Sequence, residues 1–158
     1  MTTSPSRGWK KKLNIKMINF SHFDNSPTLN LDLKQAGSWI GSIIVSEHKI
    51  IGTISYIFCS DDELLKINKK FLNHDSLTDI ISFPELNSTS IISGEIYISI
   101  DRVKENAINY NVEFKNELHR VMAHGVLHFV GYGDSTTEDK AEMRSKEDYY
   151  LNLLPQTY

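Results

Sequence analysis

The sequence is short of cysteine and of long apolar runs. Cys59 is the single cysteine among 158 residues, so one chain can form neither an internal disulfide nor a zinc cluster of several thiolates. No apolar stretch approaches the roughly 18 residues of a membrane-spanning helix, and residues 1–16 lack the apolar core of a secretory signal. These absences favour a reducing compartment and argue against a membrane partner.

Positive charge is scarce beyond the first residues. Residues 1–16 carry five basic side chains and no acidic one, whereas residues 17–158 hold 12 basic against 20 acidic, a net charge of −8. We predict that residues 1–16 are a disordered basic leader and that residues 17–158 form a single domain. Because phosphate neutralisation needs clustered lysine and arginine, a nucleic-acid substrate would be held by a small local basic patch.

Apolar periodicity predicts alternating strands and helices. A capping box formed by Ser60 and Glu63 marks the start of one helix. The predicted strands are 13–20, 50–58, 77–83 and 95–100, with a polar loop at 87–93, and the predicted helices are 32–47, 61–72, 102–110, 114–130 and 138–153. This order predicts an α+β fold in which helices pack on one small mixed β-sheet.

The segment that carries chemistry starts within a predicted buried helix and continues into the turn after it. His124 and His128 are four residues apart, so their imidazoles lie on one side of that helix and can reach one divalent ion at about 2.0–2.1 Å. Gly131 and Gly133 allow the chain to turn back after the helix, which would bring Asp134 to the same ion. Three protein ligands leave one position for water, as in catalytic sites.

Other interpretations of the two histidines stay open at this point. Most histidine pairs at this spacing bind no metal, and ordinary hydrogen bonds would also satisfy buried imidazoles. Zinc proteases place a general-base glutamate directly after the first histidine, a position that Gly125 occupies here, so peptide hydrolysis by that mechanism is disfavoured. Two histidines and one carboxylate also match the ligand type of iron oxygenases.

Three segments resemble the YbeY endoribonucleases, and they follow one another along the chain in the order that the family has. The resemblance covers most of residues 50–149. The matching segments are His124-Gly-Val-Leu-His128 followed by Gly131-Tyr132, residues 78–84 (TDIISFP), and residues 93–99 (SGEIYIS) followed by Arg102 and Ala107. The resemblance implies a zinc-dependent, single-strand-specific endoribonuclease that acts on the 3′ end of small-subunit ribosomal RNA and in ribosome quality control. It also implies a cytoplasmic, zincin-like α+β domain whose metal site lies at the end of a buried helix.

The third metal ligand departs from the family pattern. The family has a histidine six residues after the second one, and this chain has Asp134. A carboxylate binds zinc at a similar distance, so the geometry is retained. Its negative charge should make the ion less Lewis-acidic and should also accommodate harder ions such as Mn²⁺.

A second departure concerns RNA. Leu72 stands where the family has an arginine associated with RNA handling. The candidate RNA-binding residues are therefore Lys69, Lys70, His74 and Arg102. Glu117 lies seven residues before His124, and it is a candidate for orienting a metal ligand through a hydrogen bond from outside the metal shell.

The sequence thus predicts a metal-dependent phosphodiester hydrolase. His124, His128 and Asp134 would hold one zinc ion per chain, and the expected partners are single-stranded ribosomal RNA and the small ribosomal subunit. No side chain is an obvious base, so the only predicted catalytic group is a metal-bound water, and the nucleophile is either that water or the ribose 2′-hydroxyl. Two alternatives remain: a non-catalytic ribosome-assembly factor with a structural metal, and a metal hydrolase of another substrate such as a peptide.

Overall fold

The computed structural model describes residues 17–23, 29–74 and 76–155 and contains five helices and four strands within them. In chain order the elements are β1 (Ile18–His22), α1 (Leu33–Ser46), β2 (Ile50–Cys59), α2 (Asp61–Leu72), β3 (Ile80–Pro84), β4 (Ile91–Ser99), α3 (Ile100–Tyr110), α4 (Phe114–Val130) and α5 (Thr137–Asn152). The order of types matches the predicted order. The predicted leader, 1–16, lies outside the described residues.

The four strands form one mixed sheet in the order β1-β2-β4-β3. β1, β2 and β4 are parallel, and β3 is an antiparallel edge strand in which Ile80 lies opposite Ile98 and Pro84 opposite Gly94. The β-branched and aromatic residues of β2 and β4 fill the two central positions, where both strand edges are hydrogen-bonded. The predicted single-domain α+β fold with a small mixed sheet is confirmed.

Several predicted strand ends are wrong. β4 begins at Ile91, so residues 91–93 are not part of the predicted polar loop, because Ile91 and Ile92 pair with Ile50 and Ile51 of β2. β3 begins at residue 80 rather than 77, since its pairing with β4 starts at that point. β1 spans residues 18–22 rather than 13–20, and residues 13–16 of that prediction lie outside the described residues.

Helix starts agree more closely with their local signals. The Ser60 hydroxyl accepts from the Glu63 backbone N–H at 3.2 Å, and the Ser60 N–H donates to Glu63 Oε1 at 2.9 Å, so the predicted capping box is present. Asp32 caps α1 in the same manner. α3 begins at Ile100, two residues earlier than predicted, because Ser99 acts as its cap.

The helix with both histidines lies directly against the sheet. Leu118, Met122 and Val126 are fully buried along one side of α4, and the Tyr56 hydroxyl on β2 donates to the Met122 carbonyl at 2.8 Å. A Cβ atom added at Gly125 would lie 3.0 Å from the Ile80 side chain. The packing is therefore tight at this position, and a larger residue would have to displace the neighbouring isoleucine side chains.

Over the part of the chain that is described, none of the helices has the length and apolar character that a membrane span requires.

Candidate metal centre

Three side chains converge at the carboxyl end of α4. His124 Nε2 and His128 Nε2 lie 2.9 Å apart. Asp134 Oδ2 lies 3.6 Å from the first nitrogen and 3.3 Å from the second. Two ligands at tetrahedral positions, each 2.0–2.1 Å from zinc, are separated by about 3.3 Å. The three side chains therefore have spacings suited to a single ion, and they form the group that could hold a metal among the described residues.

The turn after α4 brings Asp134 to the histidines. α4 ends at Gly131, which has φ of 127°, a conformation that strains residues with side chains. The Tyr132 backbone N–H donates back to the Leu127 carbonyl at 3.0 Å, which closes the helix end. The predicted glycine turn is confirmed at Gly131.

The hydrogen bonds of the imidazoles fix which nitrogens face the centre. The Tyr132 carbonyl can only accept, so His128 Nδ1 donates to it at 2.9 Å. His124 Nδ1 donates to Glu147 Oε2 at 2.7 Å. A neutral imidazole that carries its proton on Nδ1 has a lone pair on Nε2. When both imidazoles are neutral, the two Nε2 atoms and a carboxylate oxygen direct lone pairs at one point, where a cation would relieve their mutual repulsion.

Charge around the centre is concentrated on carboxylates. Burial lowers the pKa of His124, but the hydrogen bond to Glu147 and the nearby charge of Asp134 outweigh burial and raise that pKa above the usual value. Burial raises the pKa of Asp79, while the proximity of His124 opposes the shift. Asp79, His124 and Asp134 line one cleft of about 310 Å³. The site is therefore open to a ligand on one side, and the charged groups in contact with the imidazoles are the carboxylates of Asp134 and Glu147.

The comparisons with known proteins agree with this site. A family model described as Endoribonuclease YbeY matches residues 22–155. The chain belongs to the YbeY family. Proteins named Endoribonuclease YbeY are 54% identical over 117 residues in Flavobacterium psychrophilum (74% of this chain, 83% of that protein) and 50% identical over 139 residues in Flavobacterium johnsoniae (87% and 97%).

A solved structure shows the same fold. The solution structure of a Thermotoga maritima protein matches with a TM-score of 0.63 at 29% identity, over 87% of this chain and 88% of that one. Asp134, the residue at which the resemblance implies a third metal ligand, lies on a described turn with a carboxylate oxygen within reach of both imidazoles.

The carboxylate that accepts a hydrogen bond from His124 Nδ1 is Glu147, which the sequence analysis missed. Glu147 lies on α5, is 5% exposed, and also accepts from Arg120 at 3.0 Å. The predicted candidate, Glu117, is buried and its ion pair is with Arg120 Nε at 3.7 Å. One signal for Glu147 was available, because it interrupts the buried stripe formed by Met143 and Tyr150 on α5.

The four candidate RNA-binding residues lie elsewhere. Arg102 on α3 pairs with Asp61 at 2.9 Å and with Glu105 at 3.6 Å. Lys69 and Lys70 are in the last turn of α2, and His74 is exposed two residues beyond that helix. None of the four, all of them described residues, lines the cleft that contains His124 and Asp134.

Proposed function

We propose that this chain is a zinc-dependent, single-strand-specific endoribonuclease that processes the 3′ end of small-subunit ribosomal RNA in the cytoplasm and acts in ribosome quality control. The observation that carries the proposal is the convergence of three potential ligand atoms, from His124, His128 and Asp134, at the side of an open cleft. Membership of the YbeY family supports RNA as the substrate.

The residues around the centre prepare it for an ion before the ion binds. The Glu147 carboxylate and the Tyr132 carbonyl hold both Nδ1 protons, so both imidazoles present Nε2 without a rotation or a change of tautomer. Asp134 adds a negative charge to the ligand set, which would also accept Mn²⁺. A bound zinc ion would polarise a phosphoryl oxygen and lower the pKa of a coordinated water.

The RNA contacts proposed from the sequence remain Lys69, Lys70, His74 and Arg102, and the small ribosomal subunit remains the proposed partner. The ion pair between Arg102 and Asp61 would reduce the contribution of Arg102 to RNA binding, because the charge of Arg102 is already partly compensated. Glu117 remains a proposed outer residue that supports the ligand set through Arg120 and Glu147.

The structure favours this proposal over the two alternatives. A peptidase of the zinc-protease type needs a glutamate directly after the first histidine, whereas Gly125 has no side chain and packs against Ile80 and Ile96 rather than lining the cleft. A purely structural metal needs a closed ligand shell, whereas the cleft beside His124 is open.

The test is a cleavage assay with labelled single-stranded RNA. We expect the chain to cleave the single strand and not a duplex of the same sequence, to lose activity with a chelator, and to regain it with zinc. His128→Ala should reduce cleavage by at least about 100-fold, because it removes a ligand rather than an outer partner. His22→Ala, at an exposed position on β1, is the matched control and should cleave like the unchanged chain. Cleavage that persists in the chelator or in His128→Ala would contradict the proposal.

A further inference from the structure

We propose that Lys140 and Arg144 bind a phosphodiester group of the single-stranded RNA beside the metal centre. The inference rests on the proposed function and names residues that neither the sequence analysis nor the family resemblance indicated. It concerns the cleft that contains His124 and Asp134, which Lys140 and Arg144 also line.

The position of the two side chains follows from α5. This helix starts three residues after Asp134, so its first turns are close to Asp134 along the chain. Residues four apart on a helix are neighbours with Cβ atoms about 5–6 Å apart. Lys140 and Arg144 therefore share one side of α5, and both line the cleft together with Asp79 and with Ile80, the first residue of β3.

The ion pairs of the cleft leave these two charges available. Three basic side chains among the described residues line the cleft. Arg120 is committed to the protein, since it donates to Glu147 at 3.0 Å and to Asp148 at 3.2 Å. Arg144 is 57% exposed and its contact with Glu147 is 3.9 Å long. Lys140 is exposed, and within the described part of the chain no ion pair is found for it.

Helix stability does not explain a cation at Lys140. The amino-terminal end of a helix carries partial positive charge, which favours acidic side chains. Glu138 and Asp139 satisfy that preference in the first turn of α5, and Lys140, the fourth residue of the helix, opposes it. Lys140 instead adds positive potential at the cleft, where it offsets the repulsion between RNA and the acidic side chains Asp79 and Asp134.

Phosphate is the group that this pair would recognise. Arginine binds phosphate oxygens through two parallel N–H donors, and lysine binds them as a compact charge. An ion held by the three ligands would contact the same backbone, so the cations and the metal centre would act on neighbouring atoms of one strand. The pair is a substrate-positioning device rather than a source or acceptor of protons.

The experiment measures binding of a labelled, single-stranded, 2′-O-methylated RNA by fluorescence anisotropy at several salt concentrations. Blocking the 2′-hydroxyl separates binding from cleavage through that group. In Lys140→Gln/Arg144→Gln we expect RNA affinity at 0.1 M salt to fall roughly tenfold or more. The negative slope of log affinity against log salt should become shallower by about 1.4, because each lost phosphate contact on a single strand removes about 0.7 from its magnitude.

Two matched variants control for folding and for net charge. Lys140→Arg/Arg144→Lys keeps both charges and should keep the affinity and the slope. Lys34→Gln/Lys104→Gln makes the same change in net charge at exposed positions of α1 and α3 outside the cleft, and its slope should match that of the unchanged chain.

The outcomes separate this inference from the proposed function. If the unchanged chain binds and cleaves single-stranded RNA while Lys140→Gln/Arg144→Gln binds with unchanged affinity and slope, the inference is wrong and the function stands. If Lys69→Gln/Lys70→Gln alone produces the loss, the contacts are on α2 and the inference is again wrong. A chain that neither binds nor cleaves the single strand would overturn the proposed function, and the inference with it.

Discussion

At the scale of single residues, the hydrogen bonds of the two imidazoles leave both Nε2 atoms directed at the candidate metal centre. His128 owes its orientation to the Tyr132 carbonyl, which is four residues away and therefore local to the same turn. His124 owes its orientation to Glu147, 23 residues away on another helix. A ligand that is fixed by a charged partner is also more basic, so Glu147 should contribute directly to metal affinity.

Glu147→Gln tests this contribution. The amide keeps the shape of the side chain but removes the charge that accepts from His124 Nδ1, so we expect zinc affinity to fall about 10–100-fold. Competition with a chromophoric chelator measures the affinity. Asp148→Asn is the matched control, since Asp148 also accepts from Arg120 yet is 56% exposed, and its zinc affinity should not change. Equal affinities for the two variants would show that Glu147 does not act on the ligand.

The sequence predicted the residues of the centre that are neighbours along the chain. His124, His128 and Asp134 follow from helix periodicity and a glycine turn, both of which are local features. Glu147 comes from a contact between two helices, which no local pattern specifies. The ion pair of Arg102 with Asp61 was invisible for the same reason, although each residue is evident in the sequence.

At the scale of elements, one carboxylate joins α1 and α5 to the turn that carries Asp134. Glu47 follows α1 and accepts hydrogen bonds from the Tyr132 hydroxyl at 2.6 Å, from Lys146 on α5 at 3.1 Å, and from the Tyr150 hydroxyl. Because the Tyr132 carbonyl also binds His128, this cluster holds the end of α4, the turn and α5 in a fixed relation.

The cluster predicts how stability depends on pH. Burial raises the pKa of Glu47, but the hydrogen bonds from Tyr132, Tyr150 and Lys146 outweigh burial and lower that pKa below its usual value. A carboxylate with a lowered folded-state pKa stabilises the fold above its unfolded-state pKa and loses that contribution as the pH falls. Urea unfolding of the unchanged chain and of Glu47→Gln should therefore differ by about 1–2 kcal/mol at pH 7.

The difference between the two chains should shrink as the pH falls below about 5, because Glu47 then becomes protonated first in the unfolded state and, at lower pH, in the folded state. Asp32→Asn, a change at the cap of α1 outside this cluster, is the control for a general loss of charge. A Glu47→Gln difference that is constant over this range would show that the charge of Glu47 is not what stabilises the cluster.

Helices were predictable as elements, and strand ends were not. Periodicity and caps are properties of a few consecutive residues, which is why the Ser60 capping box was placed correctly. The start of β4 depends on its partner β2, since Ile91 is in the sheet through its pairing with Ile50. The close contact of Gly125 with the sheet is also non-local, and it gives a packing reason for the glycine at a position where a protease has its base.

At the scale of the whole molecule, charge and composition limit where a metal ion can be bound. With one buried cysteine and six histidines in the chain, the described residues bring together one group of three ligands, His124, His128 and Asp134. The chain is acidic overall, so RNA is expected to bind where cations are concentrated rather than over the whole surface. Both properties direct the activity to one cleft.

The most direct test of the account is a calorimetric titration of the chelator-treated chain with zinc. We expect one ion per chain, an affinity at least about tenfold lower in Asp134→Asn, and retained binding in Asp134→His, because imidazole and carboxylate bind zinc at similar distances. Unchanged affinity in Asp134→Asn would show that Asp134 is not a ligand, and a chain that binds no zinc would contradict the account at its centre.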